Sequence, residues 1–147
     1  MNGKIFVYGS LMVGFGNFHK YLEGKIIDRK PARTKGKLYH LNNKGYPAMV
    51  FGNDYVYGEI ITIYDFENVI IELDKLEKFY GKDNITNSYN KIPKEIEVYE
   101  ESSVEIIDVY MYNENNPSCI NEEMTYIPEG DWRKYFENKS KLIGMNV

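Results

Sequence analysis

The sequence predicts an α+β fold: a small mixed β-barrel, closed or nearly so, with a few short helices packed on its outside. Three observations lead there. Short apolar runs separated by turn residues recur along the chain, the pattern of many strands. Only one segment, Phe66 to Tyr80, carries a sustained helical period. Tyrosine is the unusual count, at 14 of 147 residues, and it favours strands and amphipathic pockets. Many strands with one substantial helix are best buried by curling the sheet around a core and laying the helices on its outer face.

The elements follow in order. Lys4 to Tyr8 reads as a buried central strand because Ile5, Phe6 and Val7 are continuously apolar. Gly9, Gly14 and Gly16 then form a flexible loop before a short helix from Asn17 to Leu22. Strands are expected at Lys25 to Asp28, Thr34 to Leu41, Ala48 to Phe51 and Tyr55 to Tyr64. Breaks are expected at Pro31, Asn42-Asn43 and Asn53-Asp54, all good turn chemistry. The helix Phe66 to Tyr80 has Asp65 as its expected cap and Gly81 as its stop. A polar loop, Lys82 to Ser88, leads to strands Tyr89 to Tyr99 and Val104 to Tyr112. The tail holds a short strand from Met124 to Ile127 and a last helical turn after Gly130, with Asp131 capping it and Trp132 packed against the barrel end.

Composition narrows the function classes. The length fits one domain spanning 1–147, with 43% apolar residues to build its core. A net charge of −4 with scattered cations leaves no electrostatic footprint for nucleic acid. No apolar run is long enough to span a membrane, and the chain enters a strand without a signal-peptide pattern. The single cysteine, Cys119, excludes an intrachain disulfide and fits a reducing cytoplasm. Cys119 has no histidine near it in sequence, so it reads as no nucleophile. His19 and His40 stand apart from any ligand cluster, so no metal site is expected.

Two segments carry chemistry. On a helical wheel with Phe66 at zero, Leu76, Val69, Tyr80, Leu73, Phe66 and Ile70 fill one arc about 120° wide. Glu77 falls in that arc and is the only charged residue there, whereas Glu67, Glu72, Asp74, Lys75 and Lys78 fall outside it. A carboxylate on a core-facing stripe is costly unless paired or neutral, which marks it as a candidate for proton transfer. A structural hydrogen bond to a tyrosine is the plainer alternative. The second segment is Tyr8-Gly9-Ser10-Leu11, where the chain turns sharply out of a buried strand. A glycine there can aim successive N–H groups into one anion-binding concavity, and Ser10 adds a hydroxyl. The plainer alternative is a tight strand-to-helix turn. The glycine spacing fits neither a dinucleotide fingerprint nor a P-loop.

Together these segments resemble the γ-glutamylcyclotransferase-like family, a broad family that includes γ-glutamylamine cyclotransferases, avirulence-induced-gene-like proteins and a butirosin-pathway cyclotransferase. The resemblance runs in order through Tyr8 to Leu11, Gly14-Phe15-Gly16-Asn17, Tyr46-Pro47-Ala48, Gly58-Glu59, Leu73 to Glu77 and Gly130-Asp131-Trp132, covering roughly 4 to 136. Two positions depart from the family pattern. Met12-Val13 stands where basic residues often follow the first loop, and Asn90 or Lys91 stands where an arginine is usual. Both bear on the substrate.

The resemblance implies a β-barrel enzyme without cofactor or metal. Its substrate would be a small γ-glutamyl amine or γ-glutamyl amino acid, whose α-amine attacks its own γ-carbonyl to give 5-oxoproline and a free amine. An α-amine of pKa near 8 is mostly ammonium at neutral pH, so a base must take its proton. An ordinary glutamate would do so uphill by about 5 kcal/mol, and raising its pKa by about two units roughly halves that cost. Glu77 would be that base and then the acid for the leaving amine. The amides of Gly9, Ser10 and Leu11 would bind the substrate's carboxylate or oxyanion, and Tyr8 is a substrate-binding candidate whose ring either faces the pocket or packs. Tyr89, Tyr112 and Tyr126 are candidates to hydrogen-bond the glutamyl group. A non-catalytic module binding an amino-acid-like metabolite or a carboxylate in the same cavity stays open, as does a barrel acting only through an oligomeric interface. The oligomeric state and the released amine are not legible.

Overall fold

The computed structural model describes residues 1–119 and 121–145, the side chains of 142–145 excepted. Among the described residues six strands are present: β1 (Gly3–Val7), β2 (Ile26–Leu41), β3 (Tyr46–Ile63), β4 (Tyr89–Val98), β5 (Ser103–Tyr112) and β6 (Met124–Tyr126). Their order is β3-β1-β5-β4-β2-β6, and β2 also pairs with β3, so the sheet closes on itself with β6 as an appendage of β2. Only β1 and β5 run parallel; every other pairing is antiparallel. Three α-helices are also present among the described residues: α1 (Gly16–Tyr21), α2 (Phe66–Leu76) and α3 (Trp132–Met145). This is the mixed barrel with outer helices that the sequence predicts.

The alternation of β1 shows how the core is divided. Phe6 and Tyr8 point into the ring with Ala32, Leu38, Val56, Ile96 and Val109, while Ile5 and Val7 point outward. The outward set packs under the helices with Leu22 of the α1 turn and Val69 and Leu73 of α2. Because both faces of β1 are buried, its sequence is a continuous apolar run rather than an alternating one.

Several expectations need correction. Pro31 does not break a strand: it lies within β2 opposite Glu59, ahead of the point where β4 joins at Arg33. A proline there removes no ladder bond on the still unpaired side. Asn53-Asp54 is not a turn either. The register jumps from Lys35↔Tyr55 to Lys37↔Val50, so Phe51 to Asp54 bulge out of one continuous strand opposite Gly36. The expected four strands in this region are therefore two long ones.

Helix α2 stops at Leu76, short of Tyr80, and Asp65, the residue in the cap position before it, is left-handed with no side-chain bond to the helix backbone. Its carboxylate instead accepts from Asn68 Nδ2 at 2.9 Å, while Met1 O accepts the Phe66 N–H. The final helix is longer than the single turn expected. There Asp131 does act as cap, its Oδ1 accepting the Lys134 N–H at 3.0 Å. Trp132 is buried at the barrel end, donating from Nε1 to His40 Nδ1 at 3.1 Å. Gly130, with φ of 69°, lies so close to Tyr55 O that no side chain fits.

Candidate active site

The loop after β1, the C-terminal end of α2 and the strands β3, β4 and β5 surround one cleft of about 670 Å³, its open mouth included. Tyr8, Gly9, Ser10, Leu11, Glu77 and Tyr89 all line it, together with Asn17, Tyr46, Pro47, Lys78, Ser88 and Tyr110. Segments about seventy residues apart in sequence are thus brought into one pocket.

Glu77 arrives there through the way α2 ends. It is the C-cap residue, followed by Lys78 in the left-handed region at φ of 52°. Lys78 N–H donates to Lys75 O at 3.2 Å and Phe79 N–H to Asp74 O at 2.9 Å, the two bonds of a Schellman motif. The chain therefore leaves the helix just after Glu77 and holds that side chain at the cleft wall. Among the described residues, no side chain or backbone group hydrogen-bonds its carboxylate. Desolvation alone pushes its pKa from 4.5 up to about 7. The charge of Glu77 in turn raises the phenols of Tyr8, Tyr46, Tyr89 and Tyr110, in each case after the larger effect of burial.

The turn after β1 lines the same cleft as Glu77 and is closed by Met12 N–H donating to Gly9 O at 2.9 Å. Among the described residues the N–H groups of Gly9, Ser10 and Leu11 find no protein acceptor. Gly9 is not needed for a left-handed φ, as the sequence suggests; that role falls to Gly14, at φ of 96°. Gly9 is needed for close approach, since a Cβ there would stand 2.5 Å from Pro47 Cγ. Asn17 Nδ2 donates to Ser10 Oγ at 2.7 Å, which leaves the Ser10 hydroxyl proton free for another partner. Arg133 Nη2 holds the far side of the loop by donating to Val13 O at 2.6 Å.

The tyrosines sort into separate roles. Tyr8 donates to Tyr110 O at 2.6 Å and Tyr89 to Pro47 O at 2.7 Å, so both phenol protons are already engaged. Tyr110 donates to Asp74 Oδ1 at 2.6 Å, and Lys91 Nζ donates to both Asp74 oxygens at 3.1 Å. Tyr112 does not line the cleft. It stands behind Tyr89, ring centres 5.6 Å apart, with its buried hydroxyl turned toward Cys119 and no well-formed hydrogen bond. Tyr126 lies on β6, away from the cleft, where its hydroxyl donates to Asp54.

Sequence reasoning did not single out Tyr46, Asn17, Asp74, Ser88 or Tyr110 as site residues. Tyr46 and Asn17 were visible only as members of the Tyr46-Pro47-Ala48 and Gly14-to-Asn17 segments. The Lys82 to Ser88 loop is not merely polar. Asn87, Asn113 and Asn116 are buried and tie it down, with Asn113 Nδ2 and Asn116 Nδ2 each donating to Asn87 O at 3.0 Å.

A closed mixed barrel with one cleft that gathers a desolvated carboxyl and unpaired backbone amides is the frame of a small-molecule-binding domain. The chain belongs to the γ-glutamyl cyclotransferase, AIG2-like family, which it matches over residues 5–134. Among solved structures it is similar to YkqA from Bacillus subtilis, at 27% identity and a TM-score of 0.66. That match covers 96% of this chain but only 43% of YkqA, so the chain spans less than half the length of that relative. An AIG2-like protein from Mus musculus shares the fold at 19% identity and a TM-score of 0.62, over 84% of this chain and 86% of that one. An uncharacterised protein from Pyrococcus horikoshii shares it at 16% identity and a TM-score of 0.64, over 95% and 97%. Among curated protein sequences none is significantly similar. No helix among the described residues is long and apolar enough to cross a membrane.

Proposed function

We propose that this protein is a γ-glutamyl cyclotransferase, converting a γ-glutamyl amine or γ-glutamyl amino acid to 5-oxoproline and the free amine. The observation that carries the reading is the Glu77 carboxyl, desolvated and unbonded, in the same cleft as the free amides of Gly9 to Leu11. A cavity that only binds a metabolite has no use for an unpaired acid raised toward neutrality. An interface-only barrel calls for a closed cavity, whereas this cleft is open.

The substrate's α-ammonium gives a proton to Glu77, and the free amine attacks the γ-carbonyl carbon. With the carboxyl at about 7 and an α-amine near 8, that transfer is uphill by only about 1.4 kcal/mol. One C–N bond forms as the ring closes, and the amides of Gly9, Ser10 and Leu11 together with the Ser10 hydroxyl bind negative oxygen of the substrate. The bond to the leaving nitrogen then breaks as Glu77 gives it that proton, and the second proton of the ring nitrogen passes to the released amine, which departs as its ammonium, so the enzyme ends unchanged. The pocket needs only to fold one molecule onto itself, which makes positioning the main contribution. Because Tyr8 and Tyr89 already donate to carbonyls, they serve as walls and hold the turn and Pro47 in place.

The experiment is detection of 5-oxoproline and the paired amine from a panel of γ-glutamyl amines, amino acids and isopeptides. Stoichiometric release of both products supports the reading, and release of glutamate in place of 5-oxoproline would replace it with hydrolysis.

A further inference from the structure

The residue after Glu77 holds a conformation that its type disfavours. Lys78 is left-handed at φ of 52° at the position of a Schellman motif that glycine usually fills. Among the described residues it is one of two charged residues lining the cleft, Glu77 being the other. Among the described residues no acid lies within 4.0 Å of its ammonium. The nearby Lys91, by contrast, is held by Asp74. A long cationic side chain is thus kept in a strained backbone position, unpaired, beside the mouth of the pocket. A strained residue in a cleft points to a role for its side chain.

We infer that Lys78 selects substrates whose leaving amine carries a carboxylate, so that γ-glutamyl amino acids and peptides are preferred over γ-glutamyl alkylamines and polyamines; this rests on the cyclotransferase reading above. The charges match group by group. The α-ammonium meets Glu77, the substrate's inner negative oxygen meets the Gly9 to Leu11 amides, and the part beyond the scissile bond leaves through the mouth past Lys78. A carboxylate there gains the lysine's attraction, and a cationic polyamine tail meets repulsion. Lys78 is a specificity residue, not a catalytic one.

The test uses a matched pair, γ-glutamyl-alanine and γ-glutamyl-ethylamide, whose leaving amines differ only by the carboxylate. Wild type is expected to favour the alanine compound about fivefold in kcat/KM, chiefly through KM, as suits one solvent-facing ion pair. The preference shrinks at high salt, survives in Lys78→Arg and falls toward one in Lys78→Gln. Equal use of both compounds by wild type, or a preference that persists in Lys78→Gln, overturns the inference. Calorimetric binding of the same pair to Glu77→Gln separates it from the reaction. A carboxylate preference in binding that Lys78→Gln removes in that background upholds the role of Lys78 even where neither compound is cyclised. Failure to cyclise any γ-glutamyl compound would sink the cyclotransferase reading instead.

Discussion

The Tyr110 hydroxyl donates to Asp74 Oδ1 at 2.6 Å, and Asp74 lies one helical turn before Glu77 on α2. Lys91 on β4 grips the same carboxylate through both oxygens. The end of α2 is thereby fastened to two barrel strands, and Glu77 is carried to the cleft on a fixed support. Lys91 occupies the neighbourhood where the family pattern leads one to expect an arginine, and it still supplies the cation. Tyr110→Phe is expected to cost about 1.5 kcal/mol, the loss of a hydrogen bond to a charged group. Asp74→Ala, which strands Lys91 and Tyr110 together, should cost about 2 to 3 kcal/mol. Urea unfolding at neutral pH measures both.

The Glu77 carboxyl predicts the pH dependence of turnover. Below about 7 Glu77 is protonated and cannot take the proton of the substrate's α-ammonium. Above about 8 the free amine attacks, and its own N–H proton passes through Glu77 to the leaving nitrogen. A kcat/KM profile that falls as pH drops below about 7, without a required basic limb, is expected. An acidic limb near 4.5 would show that burial does not shift this group.

Stability should respond to the same residue with a definite sign. A carboxyl whose folded pKa lies above its unfolded value binds more protons when folded, so stability falls as pH rises from about 4.5 through about 7. Glu77→Gln removes that penalty and should stabilise the protein by about 3 kcal/mol at pH 8, with little effect at pH 4. Thermal melts at the two pH values check it, and a mutant destabilised equally at both would contradict it.

Gly9 and Pro47 predict a coupled pair. A Cβ at position 9 would stand 2.5 Å from Pro47 Cγ and 2.9 Å from Cδ, so Gly9→Ala must push the turn or the proline aside. Turnover should fall at least about tenfold, given how sensitive such geometry is to shifts of an ångström. Pro47→Ala removes both clashing atoms, so the double mutant should recover part of the loss. Additive losses would show that the two do not meet.

Much of this was legible in the sequence, for physical reasons that can be named. Glu77 stood out because a helical wheel sets an acid among Phe66, Ile70 and Leu73, and α2 does present that stripe to the barrel. The turn after β1 was legible from a continuous apolar strand meeting glycine. Gly9's reason was not, because the atom it makes room for belongs to Pro47 on another strand. Strand breaks misled at Pro31 and Asn53-Asp54, since turn residues also serve strand starts and bulges, and only the partner register tells these apart. The helix end was misplaced because Lys78 takes a conformation that sequence assigns to Gly81. Asp74 read as a solvent-facing acid, and its partners Tyr110 and Lys91 come from strands distant in sequence.

The most direct measurement is single-turnover release of 5-oxoproline by wild type and by Glu77→Gln, with the preferred γ-glutamyl compound at saturating enzyme. Loss of about three orders of magnitude in the variant, with substrate affinity retained, is the result expected for a group that moves the proton. Equal rates from both proteins would contradict the account, because Glu77 would then be a buried acid without part in the chemistry.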